Sequence, residues 1–338
     1  MDRGYNQQMI AVTGASGFAG GNLLRALLAE NQPCPAIRAL VHRGRRAIAG
    51  LEVEQVDGDV TILDSLMRAF NGVDVVYHLA GSISLEMNSW PELEAINIIG
   101  TRNVVEACLR CKVRRLVHFS SIHAVEQEPF DCPVDENNPL VSAPDHPPYD
   151  RSKAAGEREV RAGIERGLDA VILRPTGMIG PYDFQPSFFG EGVLLMAHGL
   201  LPALVEGGFD WVDVRDVAIG AIAAANCAPP GASYLLGGHW HSVREVAEII
   251  AALSGRRAPL WTAPMGLAQA AAPLVESLAH LARLRPIFTR ATLRALHSNH
   301  TISHARAARE LGYCPRPFAE TLADIIAWLQ ATGRLETR

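Results

Sequence analysis

Two side chains four residues apart, Tyr149 and Lys153 in the stretch YDRSK, are the pair in this 338-residue sequence best suited to chemistry. On a helix that spacing puts one above the other on a single face, so the Lys153 ammonium lies close to the Tyr149 phenol and favours its ionised form. A free phenol has a pKa of about 10. Lowered toward the working pH, it becomes a proton donor or acceptor for an alcohol/carbonyl pair. The same spacing also occurs on surface helices with no role in chemistry, so context decides its meaning. Here the context is the segment MIAVTGASGFAGGNLL, in which Gly14, Gly17 and Gly20 follow an apolar run and open a helix. Glycines so placed allow a tight turn and the close approach of backbone to a pyrophosphate, whose charge the helix N-terminus favours. The structural alternative is a turn packed tightly for its own sake. Together, phenol, ammonium and glycine turn predict hydride transfer to or from a nicotinamide dinucleotide.

The elements that must position these groups follow from the apolar pattern. Apolar runs alternate with helical periods from the start, which predicts an α/β fold: a doubly wound parallel sheet of the Rossmann kind with a smaller C-terminal lobe for substrate. Strands are expected over 9–13, 36–41, 53–56, 74–79, 115–120, 170–174 and 233–236, and helices over 18–30, 61–70, 91–111 and 150–166. Pro147 and Pro148 suit the residues just before a helix start and place Tyr149 at its mouth. After Gly180 the alternation fades. The dinucleotide-binding part is therefore assigned to 1–180, with 213–236 returning to it, and 181–338 mainly to the substrate lobe.

At the end of the second strand, where an acid would bind the ribose hydroxyls of NAD, the chain has His42 and Arg43, followed by Arg45 and Arg46. Cations suit a 2′-phosphate, so NADP is expected over NAD, the alternative being a solvated basic loop. Asp59, in the GDV that ends with Val60, either accepts from the adenine amine or caps a helix, a task open to Thr61 as well.

Other function classes are disfavoured. A formal charge of −5 without a long basic run argues against nucleic acid. The apolar stretch 263–284 is broken by Gln269, Glu276, His280 and Arg283, so no membrane span is expected, and residues 1–8 lack the features of a secretory signal, which points to the cytoplasm. Of six cysteines only Cys108 and Cys111 form a CxxC, with no second ligand pair nearby, so no metal is expected and the thiols are read as free. His297, His300 and His304 are read as surface residues.

Ordered motifs run through nearly the whole chain: VTGASGFAG, GDV, VYHLAG, NIIGTRNVVEAC, FSS, YDRSK, LRPTGMIGP, WVDVRDVA and ARELGYCPRP. In these the chain resembles the extended short-chain dehydrogenase/reductase family, which holds NAD-dependent epimerases and dehydratases, dihydroflavonol reductases and 3β-hydroxysteroid dehydrogenases. The resemblance implies that Tyr149 is the acid/base, that Lys153 holds the ribose and lowers the tyrosine pKa, and that a serine after the fifth strand assists. Ser121 is preferred to Ser120 because SSI resembles the hydroxysteroid branch. It further implies that Ser16, Phe18, Leu79, Ala80 and Gly81 line the cofactor with the glycines, and that Pro175 and Thr176 anchor the nicotinamide end. His123 departs from the small or acidic residue expected there. It either contacts substrate or is a packed histidine.

Two further departures bear on substrate. Gly177 stands where the family's sugar-nucleotide epimerases present an asparagine, and Phe209 where they present a phosphate-binding arginine. Phe184, Phe188, Phe189, Phe209 and Trp211 then read as an apolar pocket wall, or as filling for the lobe core. The expected activity is an NADP-preferring interconversion of a secondary alcohol and a carbonyl on a small, largely apolar substrate. A sugar or sugar-nucleotide epimerase/dehydratase is the alternative, since GMIGPYDFQPS and the run to WVDVRD also resemble hopanoid-associated sugar epimerases. A third possibility is a redox sensor that holds the dinucleotide without turnover, disfavoured by the intact Tyr/Lys pair. Two amphipathic helices, 91–111 and 150–166, suit the family's four-helix homodimer interface.

Overall fold

The computed structural model describes residues 8–30, 35–83, 89–281, 293, 296 and 298–336. Its centre is a seven-stranded sheet built from β1 (Met9–Thr13), β2 (Ala36–Val41), β3 (Glu54–Asp57), β4 (Val75–His78), β5 (Arg115–Phe119), β6 (Ala170–Pro175) and a late strand, Ser233–Leu236. From one edge the order is Ser233–Leu236, β6, β5, β4, β1, β2, β3, and every pairing is parallel. Strands buried on both faces need apolar residues at every position, and β4 and β6 are buried throughout. The order reverses at β1, between β4 and β2. A crevice opens there at the carboxyl ends of the strands.

Helices cover both faces. α1 (Phe18–Glu30) and the returning helix Val214–Cys227 close one core with Leu23, Leu24, Val217 and Ala221. On the other face, α2 (Leu63–Ala69), α4 (Gly100–Arg110) and α5 (Pro148–Glu165) close a second core around Leu66, Val104 and Val160. The helix expected over 91–111 is three pieces: α3 (Trp90–Leu93), a π-helical turn (Glu94–Ile99) and α4. The extra residue of the π turn accommodates α5, whose Gly156 packs so closely that a Cβ there would lie 2.4 Å from the Asn97 carbonyl.

The later residues form a third core from Val193, Val205, Phe209, Trp211, Val246, Ile250 and Ile325. They carry strands the periodicity did not predict: Gly177–Ile179, Gly208–Asp213 and His239–Ser242 make a three-stranded sheet, and Leu204–Val205 pairs with Thr262–Ala263. The apolar stretch expected over 263–284 is helical as Met265–Leu281. No helix among the described residues is long and apolar enough to cross a membrane. Further on, Ala307 and Tyr313 return to the core of the main sheet. Of the three late histidines, His297 lies outside the described residues. His300 is exposed and stacks on Trp240, with ring centroids 3.9 Å apart. His304 is not the surface residue expected, being half-buried against Tyr313 with its Nδ1 enclosed.

Candidate active site

The glycine turn sits at the reversal of strand order. Gly14 has φ +68°, and a Cβ on it would lie 2.6 Å from the Ala80 nitrogen, so only glycine lets the ends of β1 and β4 meet. A Cβ on Gly20 would reach 2.2 Å from the Gly14 carbonyl, whereas one on Gly17 would meet only that oxygen, at 3.2 Å. The bare face of the turn, at the mouth of α1, fits a pyrophosphate. Thr13 secures the junction, its hydroxyl accepting from the Ala80 amide at 3.2 Å and meeting His78 Nδ1 at 2.7 Å. Ser16 donates to the Arg43 carbonyl at 3.1 Å, which ties the glycine turn to the end of β2, and Phe18 begins α1.

The basic residues after β2 divide their tasks. Arg45 pairs with Asp57, and Arg46 lies over the Phe184 ring at 5.8 Å. His42 Nε2 is 3.5 Å from Asp59. Among the described residues the Arg43 guanidinium has no hydrogen-bond or ion-pair partner. One carboxylate oxygen of Asp59, just before α2, accepts from both the amide and the hydroxyl of Thr61 at 2.8 Å each. Its carboxyl lies below the usual range, because partial burial, which would raise it, is outweighed by those bonds and by the charges of His42 and Arg43. Val60 is committed to packing, its side chain meeting Gly100 and its carbonyl accepting from Asn103 at 3.0 Å.

Beyond the glycines the crevice widens into a cleft of about 420 Å³, partly open to solvent, lined by Leu79, Gly81, Phe119, Tyr149, Lys153, Pro175 and Met178 among others. Tyr149 stands in the first turn of α5, where Pro147 and Pro148 start the helix without needing amide partners. Its phenol lies beside the hydroxyl of Ser121, the cap of the short turn after β5. Lys153, one turn on, donates to the Phe119 carbonyl at 2.8 Å. The structure thus brings Ser121, Tyr149 and Lys153 together. The adjacent Ser120 also lines the cleft, with its hydroxyl donating to Glu157 at 2.9 Å.

Burial dominates the electrostatics of the pair. Burial pushes the Tyr149 phenol up to about 12, with the Asp150 charge adding to the rise, and Ser121 is the neighbour that opposes it. The Lys153 ammonium donates to the Phe119 carbonyl and not to the phenol. Burial also brings Lys153 down to about 8, against the pull of Glu157. Behind the lysine lie two buried histidines with ring centroids 5.3 Å apart. Burial, and then the Lys153 charge, holds His78 at about 3. Burial, His78 and Lys153 hold His118 well below its ordinary range, and both of its ring nitrogens are enclosed without a partner among the described residues.

On the substrate side, His123 lies beside Tyr149 with ring centroids 5.8 Å apart, and its Nδ1 is 3.5 Å from Asp150. Burial would lower the imidazole, but the Asp150 bond and charge raise it. Phe209 is not on the cleft wall. It is 7% exposed in the lobe core, with its ring 4.8 Å from Phe189 and 5.2 Å from Trp211. Phe184 packs on Trp328 and Phe188 on Phe189, so these aromatics fill and edge the lobe. At Gly177 a Cβ would lie 3.1 Å from the Asp210 carbonyl and 3.4 Å from the Phe189 ring, which leaves an asparagine little room. The Thr176 hydroxyl is used by Asp210 at 2.7 Å.

Sequence reasoning missed the polar framework behind these groups. Asn97 in the π turn holds Ser82 by amide and carbonyl, at 2.8 and 2.9 Å, and reaches Ser152 at 2.9 Å. Glu157 was legible in principle, being one more helical turn beyond Lys153.

A doubly wound sheet with a glycine cradle at its switch point is the arrangement of dinucleotide-dependent enzymes. The chain belongs to the NAD dependent epimerase/dehydratase family, whose model matches residues 10–237. It is an enzyme of the extended short-chain dehydrogenase/reductase type, whose members work with a nicotinamide cofactor. It is 34% identical to sterol demethylase protein B of Methylococcus capsulatus, over 96% of this chain and 99% of that one. It is also 30% identical to a putative dihydroflavonol 4-reductase of Synechocystis, over 97% and 96%. Among solved structures it resembles gox2253, with a TM-score of 0.84 and 32% identity over 98% of this chain and 100% of that one.

Proposed function

We propose that this enzyme interconverts a secondary alcohol and a carbonyl on a small, largely apolar substrate, with NADP preferred to NAD. The observation that carries the reading is the Ser121 hydroxyl beside the Tyr149 phenol, at a cleft whose lining includes Leu79, Phe119, Pro175 and Met178, with Lys153 as its one cation among the described residues. A sugar diphosphate would need further cationic partners. The names of the two relatives, one referring to a sterol and one to a dihydroflavonol, support an apolar substrate.

In the reductive direction Ser121 donates to the substrate oxygen and Tyr149 passes its proton to that oxygen, completing the alcohol. When bound, the nicotinamide supplies the hydride to the carbonyl carbon. Lys153 holds the ribose and, once drawn toward the phenol, its charge favours the phenolate left behind. Gly14, Gly17 and Gly20 hold the pyrophosphate, and Arg43, whose guanidinium has no hydrogen-bond or ion-pair partner among the described residues and whose carbonyl accepts from Ser16, meets the 2′-phosphate. The experiment is NADPH oxidation with a panel of alicyclic and aromatic ketones beside UDP- and dTDP-sugars. Reduction of a ketone with no competition from the sugars is expected; an epimerised sugar without net cofactor oxidation overturns the reading.

A further inference from the structure

We propose that Glu157 is the positioning residue of this site: its carboxylate locks the Phe119–Ser121 backbone against α5 and supplies the negative charge that holds Lys153 as an ammonium. The inference rests on the roles just proposed for Lys153 and Tyr149.

Three residues of α5 stand one above another, Tyr149, Lys153 and Glu157, each four from the next. Glu157 is fully buried and its carboxylate accepts five hydrogen bonds: from Arg174 at 2.6 and 3.0 Å, from Arg161 at 2.8 and 3.2 Å, and from Ser120 at 2.9 Å. A buried carboxylate needs compensation, and Arg174, 1% exposed on β6, gives it a bidentate partner. The Ser120 arm does something else. Ser120 lies between Phe119, whose carbonyl takes the Lys153 ammonium, and Ser121, whose hydroxyl meets Tyr149. Holding Ser120 therefore fixes both partners of the Tyr/Lys pair relative to the helix that carries it.

The second role follows from what surrounds Lys153. Facing it are Tyr149 and Glu157 on its own helix, His78 at the end of β4 and His118 on β5. The two histidines are held neutral by burial, and the phenol stays protonated up to about 12. Among these groups only Glu157 carries charge at neutral pH. Its pull opposes the desolvation that brings the lysine down to about 8.

The test is the pH profile of turnover with NADPH and a reducible ketone for wild type, Glu157→Gln, Glu157→Gln/Arg174→Met and Ser120→Ala. The double variant leaves neither buried charge orphaned. Loss of the Lys153 proton produces a fall in rate at high pH. Glu157→Gln is expected to move that fall to lower pH by about one unit, and the double variant, which also removes the Arg174 cation, to move it the same way by less. A merely structural role would reduce the rate by the same factor at every pH, and an unmoved fall overturns the electrostatic role. Ser120→Ala keeps the charge, so its fall should stay in place while kcat drops about tenfold with KM nearly unchanged. Wild-type turnover in Ser120→Ala overturns the positioning role even if both Glu157 variants are too unstable to assay. Lys153→Arg separates the two readings: a fall in rate that Arg does not remove means that Lys153 itself was misassigned, whereas one that responds to Arg but not to Glu157→Gln sinks the inference alone.

Discussion

Lys153 donates to the backbone carbonyl of Phe119 at 2.8 Å, joining helix α5 to strand β5 where Tyr149 meets Ser121. Tyr149 and Lys153 are thus placed by helix α5, and Ser121 by the short turn that leaves β5. Each can be removed singly with a different expected signature.

Tyr149→Phe keeps the ring in its buried position and loses the transferable proton. Turnover should fall by about 10²–10⁴-fold, the usual worth of general acid/base catalysis, while the dissociation constant for NADPH changes less than about twofold. Single-turnover kinetics and calorimetry on the same preparation check both halves.

A pH-dependent stability follows from the lowered lysine. Lys153 is brought by burial from its ordinary 10.5 to about 8, so between those values the unfolded chain binds more protons than the folded one. Stability of the cofactor-free protein must therefore rise with pH across that window through this group. Melting curves of wild type and Lys153→Met should show the difference moving in the wild type's favour between about pH 7.5 and 10. A constant difference would mean that the lysine titrates normally.

Among the described residues the Arg43 guanidinium has no hydrogen-bond or ion-pair partner, whereas Arg45 is taken by Asp57. Arg43→Ala should weaken NADPH about tenfold, the worth of one charge-assisted contact, and leave NADH within about twofold. Equal losses for both cofactors would return Arg43 to the role of a solvated loop residue.

Phe209 anchors the lobe core between Phe189 and Trp211. Phe209→Ala should cost about 3–5 kcal/mol in chemical denaturation, as for other large-to-small core changes. Phe209→Arg should cost more by burying an unpaired cation, so either variant tests the packing of the lobe and not the preference of the cleft.

The central sheet was legible because all its strands but the exposed edge strand β3 are largely apolar, buried runs, with parallel partners supplied by successive βα units. Predicted ends fell within a residue or two of the observed ones. The lobe was not legible for the opposite reason. Gly177–Ile179, Gly208–Asp213 and His239–Ser242 are three to six residues long and pair with one another across wide gaps in sequence. No local period announces such pairing. In the site, spacing placed Tyr149 over Lys153 correctly, yet it could not reveal that the ammonium turns to the Phe119 carbonyl. Aromatic residues near a cleft also read alike whether they face it or its supporting core, as Phe209 illustrates.

The most direct test of the proposed chemistry is transfer of deuterium from NADPH labelled at C4 of the nicotinamide, each face in turn, to an alicyclic or aromatic ketone. The account predicts an alcohol carrying one deuterium on the carbinol carbon from one labelled face only, one NADP formed per alcohol, and loss of the reaction in Tyr149→Phe. Epimerisation of a UDP- or dTDP-sugar by the same enzyme, with no net cofactor oxidation and no label in any ketone, would contradict it.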